Sequence, residues 1–116
     1  MIYPWGNTFV ADNVVYDGNS GGQTANVGSR PGGISWVGAY DLSGNVWEWV
    51  STIYQSYPYS ATDGRESNSD TNSERVGRGG SWDLDSYSLH AAFRYRDDPD
   101  FRGSDIGVRC ARSGNP

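Results

Sequence analysis

Sixteen glycines and five prolines punctuate a chain of 116 residues, which leaves room only for short elements joined by ordered loops. A single domain over 1–116 is expected, with a small core, because short chains bury a smaller share of their surface. Aliphatic side chains are few. Five Trp, eight Tyr and three Phe compensate, since each buries a large area. Order is therefore expected despite the polar average.

The strongest local signal is Gly44-Asn45-Val46-Trp47-Glu48-Trp49-Val50. Its period-2 alternation predicts a strand with Val46, Glu48 and Val50 on one face and Trp47 and Trp49 on the other. Residues 1–35 lack any helical apolar period longer than a turn and read as ordered loop with one or two short strands, Val14-Val15-Tyr16 among them. The polar run from Tyr54 to Glu74 reads as an exposed excursion. Order resumes at Val76-Gly77-Arg78-Gly79-Gly80-Ser81-Trp82, whose glycines permit positive φ or close backbone approach before a large indole. Leu89–Arg96 fits a helix or a strand, and the alternation of Phe93-Arg94-Tyr95-Arg96 favours the strand. Ile106–Arg112 reads as a closing strand. The pattern is a loop-rich β or α+β domain with little helix.

All nine cations are arginine and the net charge is −5. With no basic run, no nucleic-acid partner is expected. The start Met1-Ile2-Tyr3-Pro4-Trp5 lacks the regions of a signal peptide, and no apolar run approaches the roughly 20 residues that span a bilayer, so no membrane insertion is expected. Cys110 is the sole cysteine, which excludes an intrachain disulfide and a cysteine-based zinc site. It reads as a small buried residue of the last strand. His90, the one histidine, reads as a surface or half-buried side chain. With no nucleophile and paired base in view, no catalytic residue is assigned.

Four blocks in fixed order carry a resemblance: Tyr3-Pro4-Trp5-Gly6-Asn7, Tyr40-Asp41-Leu42-Ser43-Gly44-Asn45-Val46-Trp47-Glu48-Trp49, Arg78-Gly79-Gly80-Ser81-Trp82 and Ile106-Gly107-Val108-Arg109-Cys110. Together they resemble the second half of the formylglycine-generating-enzyme, or sulfatase-modifying-factor, domain. That resemblance implies an α+β, C-type-lectin-like fold of short strands, long ordered loops and little helix, N-terminally minimal relative to the family. Catalytic members bind copper through two cysteines set five residues apart after the Gly-Gly-Ser-aromatic block. Those positions hold Leu84 and Leu89, so the resemblance implies an inactive relative.

The resemblance also implies a structural calcium held by the side chains of Asp41 and Glu48 and the backbone carbonyls of Gly44 and Val46. Hard oxygen donors suit that ion. A second reading of the same residues stays open: Asp41 caps a turn and Glu48 pairs with an arginine such as Arg94 or Arg109. A further calcium site of the family maps onto Asn13 and Val14, with its remaining ligands falling in the altered stretch Asn19-Ser20-Gly21.

Residues 83–105 mix tyrosine, serine, glycine and aspartate as a binder's contact surface does. They contain no Glu, Lys, Gln, Met or Trp, the five types that no codon ending in cytosine encodes. Lying between Gly79-Gly80-Ser81-Trp82 and Ile106-Gly107-Val108-Arg109, this stretch resembles the varied segment of diversity-generating-retroelement variable proteins, which share the lectin-like fold. The resemblance implies a non-enzymatic ligand-binding protein whose partner is a protein on a cell or virion surface. Asp83, Asp85, Ser86, Tyr87, Ser88, Phe93, Tyr95, Asp97, Asp98, Phe101, Ser104 and Asp105 are the expected contacts. Arg94, Arg102 and Arg109 are expected in the frame, paired with Glu48 or loop carbonyls. The alternative is the C-terminal part of a sulfatase-modifying-factor-like domain, inactive without its copper cysteines. Oligomeric state is not legible.

Overall fold

The structure is a computed structural model that describes residues 1–112 and 114. Four strands form one sheet: β1 (Trp47–Ile53), β2 (Arg75–Arg78), β3 (Arg94–Asp97) and β4 (Ile106–Gly107), in the spatial order β3-β2-β1-β4. β1 pairs antiparallel with β2 and parallel with β4, and β2 pairs antiparallel with β3. The helical content is three 3-10 turns, at Ala11–Asn13, Pro31–Gly33 and Ser86–Leu89.

The two sheet faces differ in chemistry because side chains alternate along each strand. Trp49, Gly77 and Tyr95 lie opposite one another across β1, β2 and β3. On that face Trp47 is buried and stacks on Tyr95 at 5.3 Å and Phe93 at 6.0 Å between ring centroids. Gly77 makes this approach possible: a Cβ there would meet Tyr95 Cδ1 at 3.0 Å. On the other face Glu48, Arg78 and Arg94 form a row.

Apolar burial continues away from the sheet. Tyr3, Val14 and Leu89 form a buried cluster flanked by Trp5, Phe9 and Tyr16. Aromatic contacts run from this cluster to the sheet: Tyr16 on Phe9, Phe9 on Tyr3, Tyr3 on His90, His90 on Tyr87, Tyr87 on Phe93, and Phe93 on Trp47. His90 is half-buried between two tyrosine rings, as expected.

Several local expectations are corrected. Val14 and Val15 are buried but form no strand. Their backbone groups are met elsewhere: the Asn19 side-chain amide donates to the carbonyls of Ala11 and Val14, and Asn45 N–H donates to the Val15 carbonyl. The closing strand stops at Gly107, and Val108 beyond it is 75% exposed. Cys110 is consequently exposed and not buried. The Tyr54–Glu74 excursion is largely exposed but has an anchor that composition hides. Arg65 is buried and salt-bridged to Asp63 at 2.6 Å, with further bonds to the carbonyls of Ser56 and Pro58.

Candidate binding surface

The approach to β1 needs backbone shapes that most residues resist. Asp41, Gly44 and Asn45 have φ of 53°, 78° and 68°. At Gly44 a side chain would also collide, its Cβ falling 2.3 Å from Val14 Cγ2. Asn45 follows, buried, exchanging side-chain hydrogen bonds with both backbone groups of Ala25. Its carbonyl accepts the Trp82 N–H, which ties the second Gly-containing block to the first.

All four residues expected to hold calcium, Asp41, Gly44, Val46 and Glu48, line one cavity of about 410 Å³. Arg109 lines it too. Its guanidinium donates to both carboxylate oxygens of Glu48 and to the backbone carbonyls of Tyr40 and Asp41. Asp41 Oδ2 accepts the Gly28 N–H at 2.7 Å. Among the described residues no three His, Cys, Asp or Glu side chains converge. The donor set does not fit calcium as it stands, because a guanidinium already neutralises Glu48; the carbonyls it holds are those of Tyr40 and Asp41, not the expected ones of Gly44 and Val46. At the mapped second site the Asn19 amide plays the same part toward Ala11 and Val14.

Copper does not fit either. Leu89 has no donor atom and is fully buried in the Tyr3–Val14 cluster, and Leu84, five residues earlier, is half-buried with its N–H on the Ser81 carbonyl.

The twelve expected contact residues divide into two groups. Asp83, Asp85, Tyr87, Asp98, Phe101 and Ser104 are exposed. Ser86, Phe93, Tyr95, Asp97 and Asp105 are half-buried, and Ser88 is buried. Ser88 is thus corrected from contact to interior: it lies in the 3-10 turn capped by Asp85, whose carboxylate accepts the Ser88 N–H at 3.2 Å. Phe93 and Tyr95 also serve the frame, since both rings lie against Trp47, while Phe93 lines an open cleft as well. Burial, aided by a hydrogen bond to Asp97, pushes the Tyr95 hydroxyl up to about 12.

The remainder, Asp98–Asp105, leaves β3 and is tied down at its far end by two tryptophans. Trp82 Nε1 donates to the Ser104 carbonyl at 3.1 Å, and Trp47 N–H donates to the Asp105 carbonyl at 2.7 Å. A turn closed by Phe101 N–H on the Asp98 carbonyl gives the loop its only internal backbone bond among the described residues. Arg109 and Arg94 belong to the frame as expected, the latter donating to the Gln55 carbonyl at 2.7 Å. Arg102 does not: it is exposed and has no ion pair among the described residues.

Sequence reasoning missed two contributors, Tyr54 and Tyr57. Their rings cover the Arg94 guanidinium at 4.5 and 3.8 Å. The cleft they share with Tyr87, His90 and Phe93 measures about 330 Å³. The sequence signal was the Tyr-rich start of the excursion, Tyr54-Gln55-Ser56-Tyr57-Pro58-Tyr59, facing the Arg-x-Arg strand.

Residues 1–114 match the sulfatase-modifying factor enzyme 1-like domain. The chain belongs to this family. It is 37% identical over 115 residues to hercynine oxygenase of Mycobacterium tuberculosis, covering 94% of this chain and 26% of that protein. It is 34% identical over 129 residues to the inactive C-alpha-formylglycine-generating enzyme 2 of Mus musculus, covering 97% and 37% respectively. The chain therefore spans about a quarter to two fifths of the length of these curated relatives. Among solved structures it is similar to Treponema denticola variable protein 1, with a TM-score of 0.67 and 30% identity, over 84% of this chain and 34% of that one. The lectin-like, helix-poor fold and the kinship with variable proteins expected from the sequence both stand. The family includes enzymes and an inactive relative alike.

Proposed function

We propose that the chain is a non-enzymatic binding domain that displays a changeable surface to a protein ligand. The observation that supports this reading best is the loop Asp98–Asp105, held by backbone carbonyls on Trp82 and Trp47 while residues 98–104 are exposed. Because the anchors grip carbonyls, the loop's side chains are free to differ without loss of either bond. Asp83, Asp85 and Tyr87 extend the surface, and Tyr87, 64% exposed, supplies wide contact area at low entropy cost. Leu84 and Leu89 at the copper positions support the absence of oxidase chemistry. A protein ligand on a cell or virion surface is the partner such a display suits, since exposed aromatic and polar side chains match protein surfaces.

The test is a displayed library randomised at Asp83, Asp85, Tyr87, Asp98, Phe101 and Ser104 and selected against a purified protein such as hen lysozyme. Most members are expected to stay folded, with binders emerging from changes at these positions alone. A library that is mainly unfolded contradicts the reading. In the genome, a near-identical, adenine-rich copy of the stretch encoding 83–105 beside a reverse transcriptase is the expected companion.

A further inference from the structure

Arg94 sits in an unusual electrostatic position. It lies opposite Arg78 across the β2–β3 ladder, and like charges in that position repel. The one acidic member of the row, Glu48 opposite Arg78, has both oxygens on Arg109. Among the described residues neither Arg78 nor Arg94 has a carboxylate within salt-bridge distance, in a chain with fourteen acids and nine arginines. Glu66, near by, spends its oxygens on Ser51, Thr52 and Tyr59.

The guanidinium of Arg94 is held ready. The tyrosine rings of residues 54 and 57 fix its plane, Nη1 donates to the Gln55 carbonyl, and Tyr57 is itself fixed by its hydroxyl on the Ala92 carbonyl. No partner for Nε or Nη2 is found among the described residues. The cleft in front, lined by Tyr54, Tyr57, Tyr87, His90 and Phe93 besides Arg94, contains no acidic side chain. A planar fork whose orientation is already fixed loses little entropy on binding a carboxylate. Behind it, Arg78 and Arg94 also line a small cavity of about 80 Å³, which adds positive potential from the rear.

We propose that this cleft is a carboxylate-binding subsite of the display surface, with Arg94 as the contact that takes the anion and Tyr54 and Tyr57 as its positioning residues. The proposal rests on the reading of the chain as a binding domain and adds the chemistry of its ligand: an acidic side chain or a C-terminal carboxylate presented beside an aromatic or apolar group that fits against Tyr87 and Phe93. It also enlarges the surface beyond 83–105 to the start of the Tyr54–Glu74 excursion.

The test is a titration of the full chain followed by the arginine Nε–H signals in proton–nitrogen NMR, with the Arg94 signal assigned by its absence in Arg94→Lys. The probes are N-acetylglutamate α-amide, its neutral glutamine counterpart, N-acetylalanine and inorganic phosphate. A saturable shift of the Arg94 signal is expected with a carboxylate probe, about tenfold tighter than with the glutamine compound, as for charge-assisted bonds. A response to N-acetylglutamate α-amide assigns the side chain as source, and one confined to N-acetylalanine assigns the chain terminus. No saturable shift with either, an equal response to the glutamine compound, tighter binding of phosphate, or an equal shift at exposed Arg102 overturns the proposal. The titration needs neither the protein ligand nor a tolerant loop. Its failure leaves the display reading standing, and failure of the library leaves the titration result intact.

Discussion

Ser86–Asp97 and Asp98–Asp105 are neighbours in one polar, aromatic-rich stretch, yet they relate to the frame in opposite ways. The first half is fastened through side chains as well as through the β3 ladder: Leu89 fills the cluster with Tyr3 and Val14, and Phe93 and Tyr95 stack on Trp47. The second half is fastened through backbone carbonyls, at Ser104 and Asp105. A side-chain anchor fixes residue identity, whereas a carbonyl anchor fixes only position. The halves differ in composition too, the second having three Asp in eight residues and the first one in twelve, but the kind of anchor is what sets tolerance to change.

The largest effect should come from Leu89→Ala. Emptying a fully buried leucine site removes transfer energy and leaves a cavity, costing about 3 kcal/mol, and thermal unfolding should show a midpoint lowered on the order of 10 °C or more. Tyr95→Ala should follow at about 2 kcal/mol in denaturant titration, because the ring is half-buried and stacks on Trp47 across Gly77. If either substitution proves silent, the first half is not anchored as described.

Arg109→Ala is expected to cost about 1 kcal/mol by the same titration, through loss of a bidentate pair with Glu48 that is only partly shielded from water. Calcium should leave the wild-type midpoint unmoved, since the guanidinium holds the Glu48 carboxylate that the ion would need.

Acid should act on the excursion between β1 and β2. Hydrogen bonds from Ser73, above all, hold the Asp70 carboxyl down at about 2 from its ordinary 3.8, and those of Asp63 and Glu66 are lowered by Arg65 and by Thr52. For a carboxyl depressed by folding, the associated stability is complete above the ordinary value and is lost as pH falls through the folded one. Protection of amides within 63–75, taken relative to the unstructured chain at the same pH, should therefore fall between about pH 4 and pH 2, ahead of that in 86–97.

What the sequence made legible were the elements whose pattern is local. The Trp47–Val50 and Arg94–Arg96 strands emerge where period-2 spacing places them, and order resumes at Val76 as expected, there as strand β2. Illegible features depend on partners far along the chain. Val14-Val15 has strand-like residues, but Asn19 and Asn45 satisfy the backbone that a ladder would have used. Burial of Arg65 follows from tertiary enclosure by Asp63, Ser56 and Pro58. The 3-10 turn at Ser86–Leu89 did carry a signal, the Asp85 cap three residues before Ser88, which the competing strand pattern obscured. At the candidate surface, the exposure of Asp98, Phe101 and Ser104 was readable from composition, whereas the Tyr54–Tyr57 wall was not, because it comes from a distant segment.

The most direct measurement replaces the second half in one step. Asp98→Ala, Phe101→Ala and Ser104→Ala are combined in one chain and its thermal midpoint is compared with that of wild type. A frame that grips carbonyls predicts a shift within about 2 °C, as for surface changes of about 0.5 kcal/mol. A fall on the order of that expected for Leu89→Ala would mean that these side chains hold the fold, and the distinction between the two halves would be gone.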